Sequence, residues 1–189
     1  NFPFVLYVGG FSARKNVSSL IKAYEKISNE INKNIKLVIC GAKKDDIESL
    51  IKMSCNSKTS DNIIFTDFIP TEDLPVFYNS CEVFVYPSLY EGFGLPPLEA
   101  MSCGTPVITS NSTSIPEVTD NCAMLIDPID TDMLSDKLYK VLTSEVIKKD
   151  LSIKGLKRSL EFSWLKTAKN TLKVYENIYK ISHISSNII

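Results

Sequence analysis

The sequence predicts an α/β fold: a Rossmann-like, doubly wound parallel sheet of about six strands, with further helices at the C-terminal end. Three observations lead to this prediction. Short apolar runs of strand length recur along the chain, at residues 4–8, 36–41, 62–69, 83–87, 106–110 and 123–127. Helical patterns alternate with these runs, which is the order of parallel strands joined by crossover helices. After the last apolar run the chain has only helical patterns.

The first two strands and the helix between them have clear local signals. The run FVLYV at residues 4–8 is apolar throughout, as expected for a parallel strand buried on both faces. Apolar residues recur with a helical period over residues 16–31, and Asn16 is a favourable N-cap. The run KLVICG at residues 36–41 predicts the second strand, which ends at Gly41.

Two further strands follow in the same alternation. A helical pattern at residues 45–53 precedes the third strand, NIIFTDFI, at residues 62–69. Residues 71–80 begin with a threonine, acidic residues and an early proline, which predicts a short helix. The run VFVYP at residues 83–87 is the fourth strand.

The stretch YEGFGLPPLEAMSCG at residues 90–104 predicts a tight loop and a short helix. Gly92 and Gly94 let the backbone bend and approach a ligand, and Pro96 and Pro97 suit the first turn of a helix. The N–H groups at such a helix start favour an anion. The remaining helical patterns cover residues 131–143, 145–161 and 164–181.

The composition is that of a globular protein and excludes several function classes. The 189 residues are 44% hydrophobic and 23% charged, and a formal net charge of −1 gives no field of the kind that attracts nucleic acid. No apolar run approaches the roughly 18 residues of a membrane-spanning helix. The five scattered cysteines predict reduced thiols and a cytoplasmic location. Because the chain starts almost inside a strand and without an initiator methionine, we expect a piece of a longer protein.

Three glycine-bearing segments follow predicted strands. They are Gly9–Gly10, Gly41 and Gly92–Gly94. Ligands of doubly wound sheets bind at the carboxyl ends of the strands, so these segments are expected to line one crevice.

Arg14 and Lys15 lie between the first glycines and the helix that follows them. A diphosphate site requires close backbone approach, cationic donors and a positive helix end, and all three are present. The alternative is that both residues are solvent-exposed loop cations. The stretch is neither G-x-G-x-x-G nor a P-loop, so a dinucleotide site of the dehydrogenase type is poorly supported.

Glu91 and Glu99 flank the glycine–proline stretch. A carboxylate can accept hydrogen bonds from two hydroxyls at once, which suits the diol of a sugar or a ribose. A glycosidase also pairs carboxylates, but it does not need an adjacent phosphate-binding loop. The alternative for Glu99 is a helix acid favoured by the helix dipole.

The sequence DTD, which begins at Asp130, has the spacing of the metal-binding aspartates in one class of sugar transferases. We favour a capping role, with Asp130 or Thr131 as N-cap and Asp132 in the first helical turn. Asp45–Asp46 receives the same interpretation, so no metal site is predicted.

Several stretches occur in a fixed order: YVGGFSARKN, LVICG, FTDFIPTEDLPVFYNSCEVFVYPSLYEGFGLPPLEAMSCGTPVITSNSTSIPEV and FSWLKTA. With them the chain resembles the C-terminal, donor-binding domain of retaining group 1 glycosyltransferases, which have the two-domain GT-B fold. It is most similar to the bacterial mannosyltransferase-like subgroup, with Arg-Lys-Asn after the first strand. The resemblance implies that residues 1–189 form a nucleotide-sugar donor-binding domain and that the N-terminal acceptor domain is absent from this chain.

The resemblance implies a catalytic group made of Lys15, Arg14 and Glu91. Lys15 matches the family's diphosphate-binding lysine. Many members have an arginine at the position of Gly10, and Arg14 is the candidate to supply that charge. Glu91 matches the motif glutamate that faces the donor sugar. Gly9 would line the same crevice as Gly10.

Other residues are implied to bind the rest of the donor. Glu99 matches the second motif glutamate, which holds the ribose diol. Phe68 and Ile69 lie where family members grip the base, and Gly41 would line the crevice. Backbone N–H groups that would reach the sugar and the distal phosphate belong to Gly92, Phe93, Gly94 and Leu95.

The implied function is transfer of a hexose from a nucleotide-diphospho-sugar to a glycan or lipid-linked acceptor in polysaccharide biosynthesis, with retention and without a metal or other cofactor. The subgroup favours GDP-mannose over UDP-sugars. We expect the isolated chain to be inactive in transfer and the full-length protein to be cytoplasmic or at the inner face of the membrane. The alternatives are a GT-B sugar-nucleotide epimerase or phosphorylase, and a non-catalytic nucleotide-sugar-binding subunit.

Overall fold

The structure is a computed structural model. The residues that it describes are 2–31, 34–41 and 60–186. The helix predicted over residues 45–53 lies outside the described residues, and so does Asp45–Asp46.

All six predicted strands are present. They are β1 (Phe4–Val8), β2 (Lys36–Cys40), β3 (Ile63–Thr66), β4 (Val83–Tyr86), β5 (Val107–Ser110) and β6 (Met124–Ile126). They form one parallel sheet in the order β3-β2-β1-β4-β5-β6, which confirms the predicted fold class. The chain winds outward from the central pair in both directions. The winding reverses between β1 and β4, where ligands of such sheets bind.

The chain divides into two compact units, residues 1–159 and residues 160–189. In the described part of the first unit, the helices are α1 (Val17–Ile27), α2 (Leu74–Ser80), α3 (Leu95–Ser102), α4 (Ile115–Thr119), α5 (Thr131–Thr143) and α6 (Glu145–Ser159). Short 3₁₀ helices lie at Ala13–Lys15, Ser60–Asn62 and Asp120–Cys122. The second unit contains α7 (Trp164–Ser186). In the described part of the chain, no helix has both the length and the apolar character that crossing a membrane requires.

The central strands and α1 form the core. Leu6 in β1 and Phe84 in β4 are fully buried, and α1 adds Leu20 and Ile21 to the same cluster. Burial of a side chain of this size is worth about 1.5–3 kcal/mol relative to exposure. The apolar face of α1 is therefore what holds it on the core, and the helix also packs against α5.

Two local expectations were wrong. The third strand ends at Thr66 and not at residue 69, because β3 is an edge strand and its last pairing partner is Cys40, after which β2 ends. Asn16 occupies the N-cap position of α1, but it has a left-handed φ of 55° and its side chain does not cap the helix. The side-chain Nδ2 of Asn16 donates instead to the carbonyl oxygens of Pro87, at 3.2 Å, and Pro128, at 2.6 Å.

Candidate functional site

The first loop of the site begins where β1 ends. Gly9 has a φ of +152°, and the carbonyl oxygen of Gly10 accepts a 2.7 Å hydrogen bond from the Tyr7 hydroxyl. A Cβ on Gly41 would lie 2.9 Å from the carbonyl oxygen of Gly9. The glycine-bearing segments after β1 and β2 therefore lie against each other.

The carboxylate of Glu91 is the centre of a hydrogen-bonded cluster at the carboxyl ends of β1 and β4. Its Oε1 atom accepts from Lys15 Nζ at 2.6 Å and from Arg14 Nη1 at 3.2 Å. The same oxygen accepts from the Ser88 hydroxyl at 2.7 Å and the Tyr86 hydroxyl at 3.0 Å. Lys15 also donates to the Tyr86 hydroxyl. The structure thus brings Lys15, Arg14 and Glu91 together.

Burial and charge distinguish the members of this cluster. The side chains of Lys15 and Glu91 are 12% and 11% exposed, whereas that of Arg14 is 51% exposed. Burial acts to raise the pKa of Glu91, but hydrogen bonds from Lys15, Ser88 and Tyr86 outweigh it and hold this pKa below its usual value. Glu91 is therefore an anion at neutral pH. Two cations and one carboxylate leave the cluster with a net positive charge.

The segment after β5 holds the glycine loop in place. The Ser114 hydroxyl donates to the carbonyl oxygens of Glu91, at 2.9 Å, and Phe93, at 3.0 Å. The backbone N–H of Glu91 donates to the Thr113 hydroxyl oxygen at 3.0 Å. The backbone around Glu91 is therefore fixed on both sides of its Cα.

Gly94 ends the loop in a conformation that favours glycine. Its φ is +106°, and a Cβ would lie 2.5 Å from Ile115 Cδ1. Helix α3 begins at the next residue, Leu95, and Pro96 and Pro97 have no N–H. The N–H groups that this helix end can offer to an anion therefore come from the glycine loop and Leu95.

Glu99 lies on α3, outside the Glu91 cluster. It is exposed, and its Oε2 atom accepts a 3.1 Å hydrogen bond from the hydroxyl of Tyr78 on α2. Tyr78 is only 2% exposed. Burial raises the pKa of Tyr78, and the nearby Glu99 carboxylate raises it further, so the hydroxyl stays protonated and remains a donor.

Comparison with known proteins assigns the chain to a family. The family model described as "Glycosyl transferases group 1" matches residues 1–158. The chain belongs to the group 1 glycosyltransferases. This confirms the family that the motifs resemble.

This chain is similar to parts of longer proteins and to an isolated domain of known structure. O-antigen chain mannosyltransferase B from Escherichia coli is 35% identical over 173 residues, which cover 92% of this chain and 45% of that relative. Sucrose-phosphate synthase from Thermosynechococcus elongatus matches with a TM-score of 0.79 and 31% identity, over 96% of this chain and 46% of that one. The C-terminal domain of the group 1 protein LpcC from Francisella tularensis matches with a TM-score of 0.75 and 23% identity, over 84% of this chain and 85% of that domain. This glycosyltransferase chain has the fold of a C-terminal GT-B domain and spans about half the length of the first two proteins.

Some predicted residues of this glycosyltransferase domain lie apart from the cluster. Phe68, in the loop after β3, is 79% exposed, and Ile69 packs partly against the core. Asp130 caps α5 by accepting from the N–H of Met133 at 2.8 Å, which confirms the capping interpretation. Asp132 forms an ion pair with Lys26. Within the described ranges, no group of three or more His, Cys, Asp and Glu side chains is placed to hold a metal ion.

Several residues of the candidate site were missed in the sequence. They are Tyr78, Tyr86, Ser88, Thr113 and Ser114. Each acts through a hydroxyl that contacts a glutamate or the glycine loop. The only sequence signal was the run of Ser and Thr directly after β5, a composition typical of loops that bond backbone groups.

Proposed function

We propose that this chain is the donor-binding half of an enzyme that transfers a hexose from a nucleotide-diphospho-sugar to a glycan or lipid-linked acceptor, with retention of configuration. The observation that carries the proposal is the cluster of Arg14, Lys15 and Glu91 beside the glycine loop, at the switch point of the sheet. A cationic cluster at this position suits a diphosphate.

The two cations would stabilise the leaving group. A nucleoside diphosphate gains negative charge as the glycosidic bond breaks, and donors that are fixed in advance stabilise that charge without reorganising. Lys15 is already held by Glu91 and Tyr86, and the half-exposed Arg14 is held by Glu91 and the carbonyl oxygen of Tyr90. With these cations and the N-terminus of α3, the proposal requires no metal.

The two glutamates would each bind a different one of the remaining parts of the donor. Glu91 adjoins Lys15 and would face the sugar, and Glu99 would accept hydrogen bonds from the ribose diol. Phe68 and Ile69, which follow β3, would contact the base.

Mannose is the proposed sugar and GDP the proposed nucleotide. A relative that covers most of this chain is named an O-antigen chain mannosyltransferase, which supports mannose and a polysaccharide product. Because this chain matches 45% of that relative, we place the acceptor on an N-terminal domain of the full-length protein. Any association with the inner face of the membrane would belong to that part.

Calorimetric titration of residues 1–189 with GDP, UDP and ADP, each with and without EDTA, tests the proposal. We expect saturable binding of GDP that EDTA does not abolish. Preference for UDP would contradict the proposed nucleotide, and binding that requires a divalent ion would contradict the metal-independent site. Failure of all three nucleotides to bind would overturn the donor-binding proposal.

A further inference from the structure

A row of four aromatic side chains crosses the core beneath the candidate site. Tyr7 and Tyr86 are stacked with ring centroids 6.0 Å apart, and Tyr86 and Phe84 are stacked at 5.9 Å. Tyr78 meets Phe84 edge-on at 5.2 Å. No member is more than 2% exposed. The rings are therefore locked by packing on both strands and on α2.

The hydroxyls of this row reach two separate carboxylates. Tyr78 donates to Glu99 Oε2 at 3.1 Å. Tyr86 donates to Glu91 Oε1 at 3.0 Å and accepts from Lys15. Each carboxylate is thus held by a donor whose ring cannot move, although Glu99 itself is exposed.

We propose that Tyr78 and Tyr86 are positioning residues that act on different parts of the donor: Tyr78 orients Glu99 for the ribose diol, and Tyr86 fixes Lys15 and Glu91 at the diphosphate–sugar end. This inference rests on the proposed function. Neither tyrosine needs to touch the donor. Each tyrosine holds a charged side chain in place before the donor binds, so fewer side chains lose conformational freedom on binding.

Both hydroxyls are donors at neutral pH, because the ordinary pKa of tyrosine is already about 10. Burial raises the pKa of Tyr86 above that value, and the Glu91 carboxylate raises it further. The same combination of burial and a carboxylate raises the pKa of Tyr78. Neither phenol therefore ionises at neutral pH, and a phenylalanine substitution removes one neutral donor without altering the net charge.

The test for Tyr78 compares GDP with 2′,3′-dideoxy-GDP on residues 1–189 by calorimetry. The unsubstituted chain should bind the dideoxy ligand roughly 10-fold or more weakly, because Glu99 loses its diol. Tyr78→Phe should weaken GDP binding about 5-fold and shrink the dideoxy penalty to about 2-fold. A substitution that merely loosened the fold would weaken both ligands equally and leave the penalty unchanged.

The test for Tyr86 compares GMP with GDP. Tyr86→Phe should keep the full dideoxy penalty but reduce the affinity gained from the second phosphate about 5-fold. Tyr78→Phe should leave that gain intact. The two variants thus give opposite patterns, and either one tests the inference if the other fails to fold.

Tyr24→Phe is the matched control. Tyr24 is 1% exposed and its hydroxyl donates to the carbonyl oxygen of Ile35 at 2.6 Å, away from both glutamates. Tyr24→Phe should change neither the dideoxy penalty nor the affinity gained from the second phosphate. If Glu99→Gln removes the dideoxy penalty but Tyr78→Phe does not, the positioning inference fails and the donor site stands. If the unsubstituted chain binds no nucleotide, both fail.

Discussion

Lys15 and Glu91 are buried together at the ends of β1 and β4, and this burial decides how the pair behaves. Charges that are desolvated must be paired and hydrogen-bonded, and Glu91 meets this condition with four donors on one oxygen. The pair therefore joins two loops that are 76 positions apart in the sequence. The same contacts hold Lys15 ready for a ligand anion.

Lys15→Ala should remove most turnover while the fold survives. In the full-length protein that carries residues 1–189, we expect kcat to fall about 10²- to 10³-fold, as for a lost oxyanion donor. The measurement is steady-state transfer from GDP-mannose. Lys26→Ala is the matched control, because Lys26 pairs with Asp132 on the α1–α5 face. Near-normal kcat in Lys15→Ala would refute the role.

Glu91 predicts how the stability of this loop depends on pH. Its pKa in the folded chain lies below the usual 4.5. A depressed pKa means that the stabilisation is fully present above pH 4.5 and is lost as the pH falls through the lower, folded value. The difference in free energy of unfolding between the unsubstituted chain and Glu91→Gln should thus stay constant from neutral pH down to about pH 4.5 and shrink only below that, as measured by urea unfolding. A difference that is the same at every pH would contradict this.

At the scale of single residues, the sequence predicted several side chains of the candidate site but not the hydrogen-bond partners of those side chains. Arg14 and Lys15 stood out because cations between a glycine turn and a helix start suit a diphosphate, and Lys15 and Glu91 also match motif positions of the family that the chain resembles. Tyr86 was predicted only as a buried strand residue, since the contact of its hydroxyl with Lys15 joins positions 71 apart in the sequence.

At the scale of strands and helices, the predicted end of the third strand was wrong because of the position of that strand in the sheet. The apolar pattern of the third strand continues to residue 69, but an edge strand can extend only as far as its one neighbour. Helix α4 has five residues, too few to show a helical period. Yet its preceding segment holds the glycine loop through Thr113 and Ser114.

Gly94 and Gly92 give a matched test of the glycine loop. Gly94→Ala should lower the free energy of unfolding by about 1–3 kcal/mol, because φ is +106° and the new Cβ would lie 2.5 Å from Ile115 Cδ1. Gly92→Ala should change it by less than about 0.5 kcal/mol, since no atom lies within 4 Å of its Cβ position. Urea denaturation of both variants provides the comparison. Equal effects would show that backbone strain at Gly94 is not what requires glycine there.

The parallel, doubly wound character of the sheet, though not its strand order, was predicted from strand and helix alternation, because parallel strands with right-handed crossovers allow few topologies. The sheet brings the carboxyl ends of β1 and β4 together, and with them the Lys15–Glu91 pair. The alternation could not say which side chains meet at this edge of the sheet, since it predicts the positions of strands and not the contacts of side chains.

The isolated chain should bind nucleotide but not transfer sugar. Residues 1–189 match 45% of the mannosyltransferase relative, and we place the acceptor on the remainder. Without it, no acceptor hydroxyl is held near the donor, and the effective concentration that speeds an oriented reaction is lost. The measurement is mannose incorporation from GDP-mannose into an acceptor that the full-length protein modifies. We expect incorporation by the full-length protein, none by residues 1–189, and nucleotide binding by both. Transfer by residues 1–189 alone, absent in its Lys15→Ala variant, would show that this half holds the acceptor as well.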